Sequence, residues 1–167
     1  TEAMFHLGTL YSQIKKFSLA KPLLLRADGS NPNNLNIKLN IGSLLFNTGE
    51  VDLALKYFDK AIEIQPNFIL AYFNKGIILN SQKKYQDAVK CFEKVIEIDP
   101  KNINAYNVLG IILQEIGEFR KSLSYLKKSI EISPNDLRVV NTLLNLLRSI
   151  KLSNLSDKNS SELVELF

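Results

Sequence analysis

The sequence predicts an all-α fold built from pairs of antiparallel helices, and three observations carry the prediction. Proline recurs at Pro32, Pro66, Pro100 and Pro134, 34 residues apart each time. Glycine recurs with the same period at Gly8, Gly42, Gly76 and Gly110, each inside an apolar, helix-like run. Columns of small and large residues keep step with both: Ala20, Ala54, Ala88 and Ser122; Leu24, Phe58, Phe92 and Leu126; Ala27, Ala61, Val95 and Ser129. Small residues let two helix backbones approach closely, and large apolar side chains three or four positions away fill the space beside them.

Each element follows from these columns in order. In the first unit, residues 1–34, a helix runs around Gly8 and a second carries Ala20, Leu24 and Ala27. Pro22 lies inside that second helix and predicts a late start or a kink, while Asp28-Gly29-Ser30 reads as a turn. The second unit, 35–68, has Thr48-Gly49-Glu50 between its helices, where glycine takes the left-handed conformation that ends a helix; Ile116-Gly117-Glu118 does the same in the fourth unit, 103–136. The first and third units carry Lys15-Lys16 and Lys83-Lys84 at this place and have no glycine signal. Second helices stop at Ile62-Glu63-Ile64-Gln65-Pro66-Asn67, at Ile96-Glu97-Ile98-Asp99-Pro100-Lys101 in the third unit, 69–102, and at Ile130-Glu131-Ile132-Ser133-Pro134-Asn135. Proline has no N–H to donate and disfavours helical geometry in the residue before it. Residues 137–150 read as the first helix of a fifth unit, so the array spans 1–151. Beyond it the register fails at Ser156, Ser160 and Leu163. Residues 152–167 read as a polar linker followed by a capping helix, folded onto Leu143, Leu147 and Ile150, or the start of a following domain.

These residues resemble the tetratricopeptide repeat family, whose unit is a helix-turn-helix of this length. The family pattern is met in the third unit by Tyr72, Gly76, Leu79, Tyr85, Ala88, Phe92, Val95 and Pro100. In the fourth it is met by Tyr106, Leu109-Gly110, Leu113, Phe119, Ser122, Leu126, Ser129 and Pro134. The resemblance implies a right-handed α-solenoid of four full repeats plus a fifth first helix and a C-terminal tail or cap. It implies a peptide or protein partner rather than any particular chemistry.

Composition agrees. With 46% hydrophobic residues over 167 positions, the chain has ample apolar material for a stack whose core is a ribbon between neighbouring repeats. The net charge is +4, but Lys56, Lys60, Lys90, Lys94, Lys127 and Lys128 are scattered among Glu63, Glu93, Glu97 and Glu131. Nucleic-acid binders gather cations into a stripe, so no nucleic-acid partner is expected. A single Cys91 excludes an internal disulfide framework and fits a reducing, cytoplasmic setting. No apolar run reaches the ~18 residues that cross a bilayer, and no signal-peptide pattern opens the chain, so no membrane partner is expected. Catalytic chemistry finds no support: His6 is the only histidine and has no evident partner, and no glycine-rich phosphate loop occurs. No cofactor or metal is expected.

In arrays of this family the first helices line a concave groove. Helical spacing away from the packed columns places on that side the residues two, five, six, nine and twelve places into each unit. They are Glu2, Phe5, His6, Thr9 and Ser12, then Asn36, Leu39, Asn40, Ser43 and Phe46. The third and fourth units give Leu70, Phe73, Asn74, Ile77 and Asn80, and Asn104, Asn107, Val108, Ile111 and Gln114. The fifth helix adds Arg138, Asn141, Thr142, Asn145 and Arg148. The cations with which some family members clamp acidic chaperone C-termini are missing at the corresponding places, where Phe5, Thr9, Leu70 and two asparagines stand. Asn40 and Asn74, one unit apart, are similar instead to the asparagine ladder with which long arrays hold a peptide main chain. An amide donates to a peptide carbonyl and accepts from its N–H. Phe5, Phe46 and Phe73 supply side-chain pockets. The groove residues expected to act are Phe5, His6, Asn36, Asn40, Ser43, Phe46, Phe73, Asn74, Asn80, Asn104, Asn107 and Asn141.

Two functions fit this reading. One is a non-catalytic scaffold or adaptor that binds an extended partner segment in the groove. The other is the substrate-recognition portion of a larger glycosyltransferase, sulfotransferase or methyltransferase. An uncapped repeat end also offers an apolar face for self-association.

Overall fold

A computed structural model describes residues 2–154, with side chains to residue 150. The described residues form helices and no strands. First helices are α1 (Glu2–Gln13), α3 (Leu35–Asn47), α5 (Ile69–Ser81), α7 (Ile103–Glu115) and α9 (Leu137–Asn154); second helices are α2 (Phe17–Ser30), α4 (Val51–Ile64), α6 (Tyr85–Ile98) and α8 (Phe119–Ile132). This is the all-α fold of paired helices that the period predicts, and the helical-repeat solenoid class that the resemblance implies. The proposed linker and cap at 155–167 lie outside the described residues.

The helix starts keep the period to the residue. Phe17, Val51, Tyr85 and Phe119 each open a second helix of 14 residues. Two local expectations are corrected. The helix containing Pro22 does not start late, because Pro22 is on the exposed side, where the Ser18 carbonyl that loses its N–H partner meets water. Asp28-Gly29-Ser30 is the last turn of α2 rather than a loop. There Ala27 is fully buried, and Asp28 accepts a hydrogen bond from Lys38 Nζ, whose side chain is only 6% exposed. Tertiary packing outweighs the weak helix propensity of glycine.

The turn between paired helices also keeps register, with a change of residue. Gly49 (φ 84°) and Gly117 (φ 79°) take the left-handed conformation, and Lys15 (φ 59°) and Lys83 (φ 58°) take it at the equivalent places. In three of the turns the next residue closes the helix with a six-residue hydrogen bond: Lys16 N to Tyr11 O, Glu50 N to Leu45 O and Glu118 N to Leu113 O, all 2.8 Å. The two lysine turns carry no glycine signal; backbone hydrogen bonds hold them there, Lys16 N to Tyr11 O at 2.8 Å in one and Lys83 N to Asn80 O at 2.9 Å in the other.

The chain divides into two compact units, Thr1–Lys83 and Lys84–Phe167. In the first, α1, α3 and α5 neighbour one another, and the core joins Ala20, Leu24 and Ala27 of α2 with Ile37, Ile41 and Leu44 of α3 and Ala54, Phe58 and Ala61 of α4. Gly42 lies against the Phe58 ring so closely that a Cβ there would stand 2.6 Å from it. In the second unit a Cβ on Gly110 would stand 2.5 Å from Leu126. Ser122 and Ser129 are fully buried in columns that hold alanine or valine in other repeats. Ser122 Oγ donates to the Gly110 carbonyl at 2.7 Å, which satisfies the hydroxyl inside the helix pair.

Candidate functional site

In the first unit the expected residues gather at three clefts between first helices. One, ≈350 Å³, is lined by Glu2, Phe5 and His6 of α1 with Asn31, Asn34, Asn36 and Ile37. His6 is exposed, 3.6 Å from the Glu2 carboxylate, and its ring is tilted against Phe5 with centroids 5.4 Å apart. A second, ≈480 Å³, is lined by Thr9, Ser12, Gln13, Lys15 and Phe17 with Asn40 and Asn47. The third, ≈170 Å³, lies between α3 and α5, where Ser43, Phe46, Asn47, Asn74, Ile77 and Ile78 surround the Phe58 ring. Phe58 reaches that floor because Gly42 has no side chain to cover it.

The two ladder asparagines are held from within. Asn40 Nδ2 donates to the Asn36 carbonyl at 2.8 Å, and Asn74 Nδ2 donates to the Leu70 carbonyl at 2.7 Å. Both bonds run back four residues along the helix, so each amide keeps Oδ1 and its second N–H for a ligand, in a side chain whose rotamer is already set. Phe46 is half-buried against the core, and Phe73 is half-buried. Asn80 is half-buried, and its Oδ1 is buried without a hydrogen-bond partner among the described residues.

The second unit places its expected residues differently. Its first-helix cleft, ≈420 Å³, is lined by Ile111, Gln114, Glu115, Phe119, Thr142, Asn145 and Ser149. Gln114 Nε2 donates to Ser149 Oγ at 2.8 Å, and that hydroxyl donates to the Asn145 carbonyl at 3.0 Å. Asn104, Asn107 and Asn141 do not line it. Asn104 Oδ1 instead accepts from Arg138 Nη1 at 3.1 Å. Arg138 is itself forked onto Asp136, Nη2 to Oδ2 at 2.7 Å, and that hydrogen bond holds the Asp136 carboxyl below its usual range. Asn107 is half-buried with Oδ1 unpartnered among the described residues, and Asn141 is exposed.

The column that sequence reasoning missed is the thirteenth place of the repeat: Gln13, Asn47, Glu115 and Ser149 line these clefts, while Ser81 in the third repeat does not. The signal was present, since thirteen is four residues beyond nine on a helix. Among the described residues no group of three His, Cys, Asp or Glu side chains comes together to hold a metal. Among them, too, no helix is long and apolar enough to cross a membrane.

Family models described as tetratricopeptide repeat match residues 1–34, 36–68, 69–102 and 91–123. The chain belongs to the tetratricopeptide repeat family. Solved structures agree with the array's fold. The crystal structure of MamA protein aligns at TM-score 0.80 and 20% identity, covering 92% of this array and 84% of that chain. A tetratricopeptide repeat protein from Parabacteroides merdae aligns at TM-score 0.80 and 15% identity, covering 89% of this array and 59% of that chain. YrrB, described as a TPR protein with an unusual peptide-binding site, aligns at TM-score 0.72 and 25% identity, covering 83% of the array and 72% of that chain. None of the curated proteins compared matches the array in sequence.

Proposed function

We propose that this array is a protein-interaction module without catalytic chemistry, which holds an extended segment of a partner protein along the first-helix face of its first unit. The observation that carries this reading is the pair of pre-set amides. Asn40 and Asn74, one repeat apart, each spend one N–H on their own helix and keep an acceptor and a donor beside open clefts. A strand of peptide presents alternating N–H and C=O groups, which is what such amides bind. The third cleft, with Phe46 and Ile77 at its walls and Phe58 beneath, takes an apolar side chain from the same segment. Membership of the family and the peptide-binding description of YrrB support the same class of partner.

The test is selection of extended peptides from a displayed random library, followed by affinity measurement on the selected sequences. Asn40→Ala combined with Asn74→Ala removes about two net hydrogen bonds of roughly 1 kcal/mol each, so affinity falls roughly 30-fold with an unchanged thermal midpoint. Unchanged affinity removes the amides from the site. Turnover of any substrate by the purified array contradicts the non-catalytic reading.

A further inference from the structure

Between α2 and α3 a buried ion pair stands where the later repeats carry no charge. Asp28, in the last turn of α2, accepts from Lys38 Nζ of α3, and the two side chains are 16% and 6% exposed. Tyr57 of α4 joins them. The Lys38 ammonium lies 5.7 Å from its ring centroid, and burial, then the Asp28 charge and a hydrogen bond to Asp28, raise its phenol above the ordinary range. One repeat on, the places of Asp28 and Lys38 hold Ile62 and Tyr72; two repeats on they hold Ile96 and Tyr106, and three repeats on Ile130 and Val140. Taking two charges out of water costs about as much as their attraction returns, and uncharged residues of similar volume at such a place are often as stabilising or more so. Stability alone therefore does not account for the pair.

The columns of small and large residues that pack the helices are alike in every unit, so apolar burial by itself does not tell α2 which first helix to meet. Repeat proteins fail by pairing elements that belong to different repeats or to different copies. We infer that the Asp28–Lys38 pair is a registry device: it makes α3 the one first helix that α2 accepts, and α2 the one second helix that α3 accepts. Were α2 to meet α5, α7 or α9 in the same way, Asp28 would face Tyr72, Tyr106 or Val140 and have no cation. Were α4, α6 or α8 to meet α3, Lys38 would face Ile62, Ile96 or Ile130 and have no carboxylate. A buried charge that has lost its partner lowers the population of such a mispaired form by about a hundredfold or more. Asp28, Lys38 and Tyr57 line none of the first-unit clefts, so the device is independent of the groove and of what binds there.

The experiment removes both charges together in the 167-residue chain. Asp28→Ile with Lys38→Tyr installs the residues found one and two repeats on, and Asp28→Leu with Lys38→Met stays closer to the original volumes. Each variant is refolded by dilution from urea at several protein concentrations. Size-exclusion chromatography with light scattering reads pairing between copies, and hydrogen exchange of α3 and α4 reads molecules whose second repeat is looped out. The expected result is a thermal midpoint equal to or above that of the unsubstituted chain, with a mispaired fraction at least about tenfold larger. Lys38→Met alone leaves Asp28 without its cation and lowers the midpoint by about 6 °C or more. The volume-conserving double variant decides if the larger residues overpack. The inference is overturned if that variant melts below the unsubstituted chain, which makes the pair an ordinary stabilising contact. It is also overturned if the variant refolds with no rise in mispaired molecules, or if Lys38→Met alone leaves the midpoint unchanged.

Discussion

At the scale of the residue, two glycines in helices separate packing from propensity. Gly42 is pressed against a fully buried Phe58, so the Cβ of Gly42→Ala has no room and the ring has nowhere to move. Overpacking of this kind costs about 1–3 kcal/mol, and the helix-propensity gain of alanine returns about 1 kcal/mol of it, leaving a net loss. Gly29 in α2 has open space where a methyl group would stand, with nothing within 4 Å, so Gly29→Ala shows the propensity gain alone, about 0.5–1 kcal/mol. Paired urea titrations of the two variants check the opposite signs. Tyr125 makes a second residue-scale prediction. Burial, then its hydrogen bond to Glu93 at 2.9 Å and the Glu93 charge, push its phenol up to about 12 from 10.0. The unfolded chain ionises this tyrosine first, so stability is fully present below pH 10 and is lost as pH rises from 10 towards 12. Tyr125→Phe flattens that part of the stability–pH curve, read by thermal melts across the range.

At the scale of the element, the turn between paired helices is the place where sequence and conformation part. Gly49 and Gly117 are legible as helix stops, whereas Lys15 and Lys83 adopt the same left-handed φ at a cost an L side chain ordinarily avoids, about 1–2 kcal/mol. Lys83→Gly relieves that cost against the greater chain entropy of glycine in the unfolded state, for a net gain of about 0.5–1 kcal/mol. Gly117→Ala loses a similar amount, and chemical denaturation of both variants tests the pair. Helix bounds were legible because columns of small residues, glycines and prolines mark them four times over. Lysine left no comparable mark, because nothing in its chemistry favours φ above zero. Pro22 misled for a related reason: its effect depends on whether the displaced carbonyl faces core or water, and the structure puts it on the wet side.

At the scale of the whole molecule, the proposed first-unit face has little charge although the chain carries +4. Glu2, His6 and Lys15 are the ionisable groups lining its three clefts. Binding through amides and an apolar floor is therefore nearly indifferent to salt. Peptide affinity changes by less than about threefold between roughly 50 and 500 mM salt, where screening removes most surface Coulomb attraction. A tenfold loss, read by fluorescence anisotropy, would instead assign the binding to lysines outside these clefts. The candidate site was half legible on these terms. Phe5, His6, Asn36, Asn40, Ser43, Phe46 and Asn74 do line clefts of the first unit, since helical spacing alone brings them to one side. Asn104 lines none of these clefts, and its Oδ1 accepts from Arg138, a contact between residues 34 positions apart that no local pattern announces.

The sequence by itself determined the period, the repeat bounds and the two-helix unit, because a 34-residue repeat writes the same local rule several times and each copy corroborates the rest. Only the tertiary structure decided which side chains stay available. It turned Asn40 and Asn74 into half-satisfied amides beside open clefts and buried Lys38 against Asp28. It also left Leu7 and Leu10 bare where Ile41 and Leu44 of α3 are buried, and Ile14 bare where Ile150 of α9 is buried. Availability depends on what lies across the gap, and that neighbour belongs to a different stretch of chain.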